Sequence, residues 1–389
     1  MTSVVILGAS HAEVPLVRAA RRLGLRTVVV SGDAFGLAIP EADSFVQCDY
    51  SDVDAVKAVV ESVRTVAVIA GCNDFAAITA SEIATRFGLP GYDSPKTART
   101  VHLKSEFRQL CDALKLSNPR AVAFDDRAAA IDHAQMAGMP LIVKPVDLTG
   151  GKGIGVIREM DDVEPMVDQA FSKSRQKVVV VEEFLDGTLH SCCSVVRNQQ
   201  VIFDFFADEL MLENPFLVAS AMTPSVIDPV SRRIVKNEIE AVARHLQLVD
   251  GLVHVQFIQS KGRPRMIEVC RRPPGDLYLD FVRLSTGLDI AEVIVRFSLG
   301  EQSEVIGREN RPVLRQCVMA DRIGKVDDVR FDDVLGPRVS NRIPLRTLPT
   351  TIEQYLTEKT EIFFAEFESV EEMRSVASHV RQHISITCS

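Results

Sequence analysis

The sequence is short of several features that would each fix a class of protein. It has no run of lysines or arginines, and its formal net charge is −9. Nucleic-acid backbones are bound by basic surfaces that neutralise phosphate, so neither duplex DNA nor RNA is expected as the main partner. No apolar run reaches the length of a membrane span. The opening Met-Thr-Ser-Val-Val-Ile-Leu-Gly goes straight into a strand, with neither a charged leader nor a cleavage site, so no signal peptide is expected and the expected location is cytoplasmic. The eight cysteines are scattered and none forms Cys-x-x-Cys, which points to reduced core residues and not to a disulfide framework. The full Gly-x-Gly-x-x-Gly dinucleotide fingerprint is absent too.

What remains is the composition of an ordinary globular protein, 46% hydrophobic and 25% charged, in a chain of 389 residues that exceeds one compact core. Apolar runs at Ser3–Leu7, Thr27–Val30, Ser44–Gln47 and Val66–Ala70 alternate with helical segments, which predicts a parallel sheet covered on both faces. Pro90-Gly91 closes this first unit, and the sequence predicts one long helix from about Ser94 to Leu116. A small unit follows, with strands near 121–124, 141–144 and 178–184. Helices and strands then continue to about Leu299, and the remainder reads as a final α+β unit.

Four segments carry chemistry. In the first, the strand Leu141–Lys144 ends in Lys144-Pro145 and leads into Thr149-Gly-Gly-Lys-Gly-Ile-Gly155. Glycines let backbone N–H groups approach phosphate oxygens closely, and the strand-end lysine adds positive charge. A plain turn beside an exposed lysine is the bland alternative. In the second, Val178–Val181 runs into Glu182-Glu183-Phe184-Leu185, a possible wall for an adenine slot. Solvated acids before an Asp-Gly turn explain that segment equally well.

The third is a hairpin, Leu252–Gln259 with Arg265–Cys270. If it is symmetric about Gly262, Gln256 opposes Glu268, His254 opposes Cys270, and all four share one face. A carboxylate and an amide oxygen side by side suit a hard divalent cation. The fourth is Glu268-Val-Cys-Arg-Arg-Pro-Pro-Gly-Asp276, whose arginines are suited to clamping phosphate or carboxylate.

In this order, Lys104, Lys144 with its glycine loop, Glu182-Glu183-Phe-Leu, and Gln256/Glu268/Arg272 resemble the ATP-grasp superfamily over roughly residues 1–300. Within it the chain is similar to carboxylate–amine ligases, including biotin carboxylase, carbamoyl phosphate synthetase and L-amino acid ligases. The resemblance implies an α/β ATP-grasp fold. Its parts would be an N-terminal parallel-sheet domain (1–93), a central domain (94–118 plus 190–305), a lid with the glycine-rich loop (119–189) and a C-terminal α+β domain (306–389).

It further implies ATP with Mg²⁺ or Mn²⁺, small carboxylate and amine substrates, and a possible homodimer. Lys104 and Lys144 would hold the phosphates, with Gly150, Gly151 and Gly153 closing over them. Glu182 would take the adenine amino group, while Glu183 and Leu185 present backbone to the base. Because Leu189 stands where relatives carry a ribose-binding Glu, His190 or Asp186 would take its place. Gln256 and Glu268 would hold the metal, and Arg272 with Lys144 would act in catalysis. Cys270 departs from the usual Asn and is a poor ligand for Mg²⁺. His11, Glu13, Asn73 and Asp74 are candidate substrate contacts or simply turn and cap residues. A bicarbonate-activating enzyme, a non-catalytic ATP-binding module, and zinc held by His254 and Cys270 are the other readings.

Overall fold

A computed structural model of the chain describes residues 2–148 and 151–389. The chain opens with β1 (Ser3–Leu7), α1 (Val14–Arg22), β2 (Arg26–Ser31), β3 (Ser44–Gln47), α2 (Val53–Ser62), β4 (Thr65–Ala70) and α3 (Asp74–Phe87). The four strands pair in parallel in the order β3-β2-β1-β4. Every residue of β1 is buried, which is why it reads as an unbroken apolar run. Asp52 and Asn73 accept backbone N–H groups in the first turns of α2 and α3. Strand order reverses between β1 and β4, so a crevice opens beyond their carboxyl ends, where open α/β sheets bind ligands.

The single helix expected over Ser94–Leu116 is two helices, α4 (Pro95–His102) and α5 (Lys104–Leu114). Leu103 between them is extended (φ −94°, ψ 119°) and buried. Neither glycine nor proline marks the break. It turns His102 inward and places the Lys104 ammonium beside the Leu148 carbonyl, 2.7 Å away.

The lid holds β5 (Ala121–Phe124), α6 (Arg127–Met136), β6 (Leu141–Pro145), β7 (Gly155–Ile157), α7 (Val163–Lys173) and β8 (Val179–Glu183). Its antiparallel sheet, β5-β8-β6-β7, packs its own core of Ala130, Val143, Val167 and Val181. Next come β9 (Thr188–Arg197), β10 (Gln200–Met211), β11 (Val218–Thr223), α8 (Pro229–Leu246), β12 (Gly251–Ser260), β13 (Arg263–Cys270), α9 (Tyr278–Thr286) and α10 (Ile290–Ser298). The last part contains β14 (Val313–Val318), β15 (Gly324–Phe331), β16 (Val339–Pro344), β17 (Thr350–Ile352), β18 (Glu361–Glu366), α11 (Val370–Ala377) and β19 (Ile384–Cys388).

One eight-stranded sheet runs β13-β12-β9-β10-β11-β14-β18-β16. It therefore crosses the boundary expected at 305/306: β14, β16 and β18 extend the central sheet, while β17-β15-β19 form a separate sheet. One face of the large sheet packs on α5 and α8 through Phe107, Phe206, Val235 and Phe257. The other shares a continuous core with the N-terminal unit, in which Leu16 and Val17 of α1 join Phe205, Phe281 and Ile290. This shared core holds the β1/β4 crevice against the polar end of the same sheet face.

Candidate functional site

The lid and the hairpin are joined by a short chain of charges. Lys144 Nζ donates to Glu182 Oε2 at 2.8 Å, and Arg108 Nε donates to Glu182 Oε1 at 2.8 Å. Arg108 also reaches the Ile267 carbonyl, next to Glu268, at 2.9 Å. Glu182 is 1% exposed; burial disfavours its charge, but Arg108 and Lys144 outweigh burial and hold the carboxyl down at about 2. Lys144 is pulled the other way: burial, then the nearby charges of Arg108 and Lys104, lower its ammonium despite Glu182. A lysine in that state gains from an added anion.

Each Glu182 oxygen already accepts one hydrogen bond, Oε1 from Arg108 and Oε2 from Lys144. It is the counter-ion of Lys144 and Arg108. Glu183 accepts from Arg120 N at 3.3 Å and from Arg265 at 3.4 Å. Leu185 is buried, and among the described residues nothing accepts from its N–H. Gly150 lies outside the described residues. Gly151 has φ +74°, and a Cβ there would stand 2.5 Å from the Phe216 carbonyl, so only glycine lets the loop lie on the β10–β11 connection. Gly153 abuts Pro145 and Lys173. Asp147 ties down the loop base, accepting from Ser174 Oγ and Gln176 N.

In the hairpin, Gln256 pairs with Glu268 and His254 with Cys270. The route to that pairing differs from simple symmetry about Gly262. Lys261 and Gly262, both at positive φ (49° and 75°), make a two-residue turn that pairs Ser260 with Arg263. Continued regularly, that register would set Gln256 against Ile267 and send Glu268 to the opposite face. A bulge between Gln256 and Phe257 on β12, with Ile267 as the extra residue on β13, restores Glu268 to the site face. The carbonyl of that same Ile267 is the one that receives Arg108.

Gln256 donates through Nε2 to Glu209 Oε2 at 2.6 Å. Glu209, on β10, was not singled out in the sequence. It is 5% exposed, and burial raises its pKa against the pull of Ser191, Arg315 and Gln256. Its signal was there only in retrospect: Phe205, Ala207 and Glu209 alternate on one face of β10, and Asp208 points to the other.

The consecutive arginines part company. Arg271 donates to Asp93, to the Leu252 carbonyl and to the Val249 carbonyl, so all its nitrogens serve structure. Arg272 donates to Asp74 Oδ1 at 2.7 Å across the domain boundary, and to the Pro273 carbonyl. Asp74 also receives His102 Nδ1 at 2.8 Å. Burial opposes its charge, but Arg272, His102 and Lys104 hold its carboxyl well below the usual carboxylate range. Beside Asp74, a cavity of about 120 Å³ lies between the β3 and β4 turns and the lid, lined by Asp49, Asn73, Lys152 and Arg175 among others.

The remaining candidate residues are engaged by their neighbours. His190 is buried, with Nδ1 on Asp208 and Nε2 on Thr188, and it stacks on Phe257 on the α8 side of the sheet. No ring nitrogen is left for a ribose. Glu13 is buried as a brace, accepting from Ser10 N, Ser10 Oγ and Cys72 N. His11 stands 3.6 Å from Asp276, a carboxylate that also binds Lys359 and Arg315. His254 packs edge-on against Tyr278, and burial, then Arg272 and Arg315, lower it to about 3, so it stays neutral.

The metal-ligand-like group containing Cys270 is Asp74, His102 and Cys270, without His254. Within it, His102 Nε2 accepts the Arg271 N–H at 3.3 Å, so Nδ1 carries the proton given to Asp74. A metal there would have to reverse that tautomer beside Arg272. The cluster is a hydrogen-bonded brace for the arginine.

Comparison with known proteins gives the family and the fold. Residues 104–305 match the family model for the carbamoyl-phosphate synthase L chain, ATP binding domain. The carbamoyl phosphate synthase large chain of Deinococcus radiodurans is 24% identical over 349 residues, covering 85% of this chain and 33% of that protein. This chain thus spans about a third of that relative's length. Among solved structures, the L-amino acid ligase from Bacillus licheniformis superposes with a TM-score of 0.85 at 18% identity, covering 100% of this chain and 99% of the other. Phosphoribosylglycinamide synthetase from Anaerococcus prevotii does so with 0.77 at 16% identity, covering both chains fully. These likenesses show the fold. Among the described residues no helix is long and apolar enough to cross a membrane. Since the family model takes in the Lys104 helix, the lid and the bulged hairpin in one continuous match, the chain belongs to the ATP-grasp family of the carbamoyl-phosphate synthase L chain ATP-binding domain.

Proposed function

We propose that this protein is an ATP-dependent ligase that activates a small carboxylic acid as an acyl phosphate and transfers the acyl group to an amine, releasing ADP and phosphate. The observation that carries the reading is the bridge Lys144–Glu182–Arg108–Ile267, which sets a cationic lid beside the acid of the hairpin. Lys144 and Lys104 hold the phosphates under the glycine loop. Leu185 offers its N–H to the base. An oxygen of the acid attacks the γ-phosphorus, and the bond to the β–γ bridging oxygen breaks. Such transfers are catalysed mainly by positioning and charge neutralisation.

The donors present suit a hard divalent ion. Gln256 and Glu268 supply oxygen, whereas the Cys270 thiol, its pKa pushed up by burial, supplies none. Such an ion, when bound, neutralises charge building on the phosphates. Arg272, poised on Asp74 at the β4 turn, stabilises the acyl phosphate, and the cavity beside Asp74 admits the amine. The amine nitrogen then bonds to the acyl carbon as phosphate leaves, and it gives up a proton.

Bicarbonate as the acid is a second reading. Its specific support is the family model itself, which describes a carbamoyl-phosphate synthase domain. A screen of ADP release over small acids, bicarbonate included, paired with amines tests both. We expect one acid–amine pair to raise ADP release, and Lys144→Ala and Glu268→Ala to abolish that increment by about 100-fold or more. Equal, substrate-independent release from all three proteins would sink the assignment. ATP binding without ADP production against the whole panel would mark a binding module instead.

A further inference from the structure

Four side chains line up across one face of the large sheet. Glu268 on β13 pairs with Gln256 on β12, and β9 separates Gln256 from Glu209 on β10. Arg315 on β14 follows, across Ala221 of β11. Side-chain alternation puts all four on the face that meets the N-terminal crevice.

The contact between Gln256 and Glu209 orients the amide. Gln256 Nε2 donates to Glu209 Oε2 at 2.6 Å, so the amide nitrogen is the end held toward β10. The carbonyl oxygen must then point away from β10, toward the strand that carries Glu268. Without Glu209, the amide is free to turn over and present N–H groups to a cation.

Charge makes the same case. Of the two oxygen donors that the hairpin offers an ion, Gln256 is a neutral amide, so Glu268 alone would leave a divalent ion under-neutralised. Glu209 is 5% exposed, and among the described residues no cationic side chain hydrogen-bonds to it. Arg315 stands near, but its guanidinium is bound to the Asp276 carbonyl at 3.0 Å and faces the Asp276 carboxylate at 3.7 Å. A buried carboxylate without an ionic partner is costly unless a cation arrives.

We propose that Glu209 is a positioning residue of the divalent-cation site: it fixes the Gln256 amide with its oxygen toward the ion and supplies the negative charge that the Gln256 amide lacks. The inference rests on the ligase reading of the same site. Outer partners that orient ligands in this way are worth about 10- to 100-fold in metal affinity.

The test compares calorimetric binding of Mn²⁺·ADP with binding of ADP alone in EDTA, using the full chain. Glu209→Ala is expected to weaken Mn²⁺·ADP by about 10- to 100-fold, with metal-free ADP unchanged within about twofold. Glu209→Gln keeps the shape and guards against misfolding; it should weaken Mn²⁺·ADP by about 10-fold. The reciprocal exchange Glu209→Gln with Gln256→Glu restores both the charge and the hydrogen bond in reverse, and should recover affinity to within about threefold of the wild type. If Glu268→Ala weakens Mn²⁺·ADP and folded Glu209→Ala does not, Glu209 has no such role. If neither variant changes it, the cation site itself is misplaced, and the ligase reading falls with it.

Discussion

The lid cluster and the sheet-face cluster contain the same kinds of group but opposite balances. Around Glu182, two cations meet one carboxylate, and both of its oxygens are used. Around Gln256, Glu209 accepts from the amide and Glu268 pairs across the hairpin, and among the described residues no cationic side chain hydrogen-bonds to either carboxylate. The first carries a surplus of positive charge and the second a surplus of negative charge, as the proposed phosphate and metal roles require. Arg108 connects them through the Ile267 carbonyl. A closed circuit gives stability, whereas an open one is left unfinished for a ligand.

The largest expected effect breaks the closed side. Glu182→Gln leaves Lys144 and Arg108 buried without a counter-ion, and should cost about 3–5 kcal/mol in urea unfolding. Glu182 also has a depressed folded value, about 2 against the usual 4.5, so its stabilisation is complete above pH 4.5 and is lost as pH falls toward 2. The variant's stability curve should therefore be flatter across that acid window. A cost under about 1 kcal/mol would mean that the circuit is not closed.

The adjacent arginines sharpen the same contrast. Arg271→Lys gives up three fixed donors and should lose about 1–3 kcal/mol of stability. Arg272→Lys should instead lose about 100-fold in acid-dependent ADP release, with less change in unfolding. Equal stability losses with equal activities would erase the distinction drawn between them.

The last effect has the opposite pH sign to that of Glu182. Glu238 on α8 accepts the Ser117 N–H at the root of the lid, and burial raises it to about 7 despite Ser117 and Arg263. A carboxyl raised above its unfolded value adds stability that is full below pH 4.5 and is lost as pH rises through 7. Glu238→Gln should remove that decline while keeping the acceptor. Thermal midpoints measured at pH 5 and pH 8 would show it, and an unchanged difference between them would refute it.

The hairpin shows how far local reading goes. The facing of Gln256 and Glu268 was legible from alternation, yet symmetry about Gly262 was not the cause. The Lys261-Gly262 turn moves the register one way and the Ile267 bulge moves it back. The break at Leu103 was invisible because extended backbone there needs no special residue; it is favoured by burying Leu103 and His102. His190 looked available for a ligand because a histidine in a sequence does not show which sheet face it joins. Asp208 and Glu209 are adjacent acids of the same strand, and only the pairing of β10 with β9 sends one to the α8 core and the other to the site.

By itself the sequence determined the elements: the buried parallel strands, the glycine loop after Lys144, the alternating hairpin and the order of its charged groups, because periodicity and turn chemistry act over a few residues. Only the tertiary structure decided which charges are already paired, since Arg108 with Glu182, Arg272 with Asp74 and Gln256 with Glu209 join residues 47 to 198 positions apart. Whether a buried charge is satisfied depends on what packs against it, and a linear pattern carries no record of that.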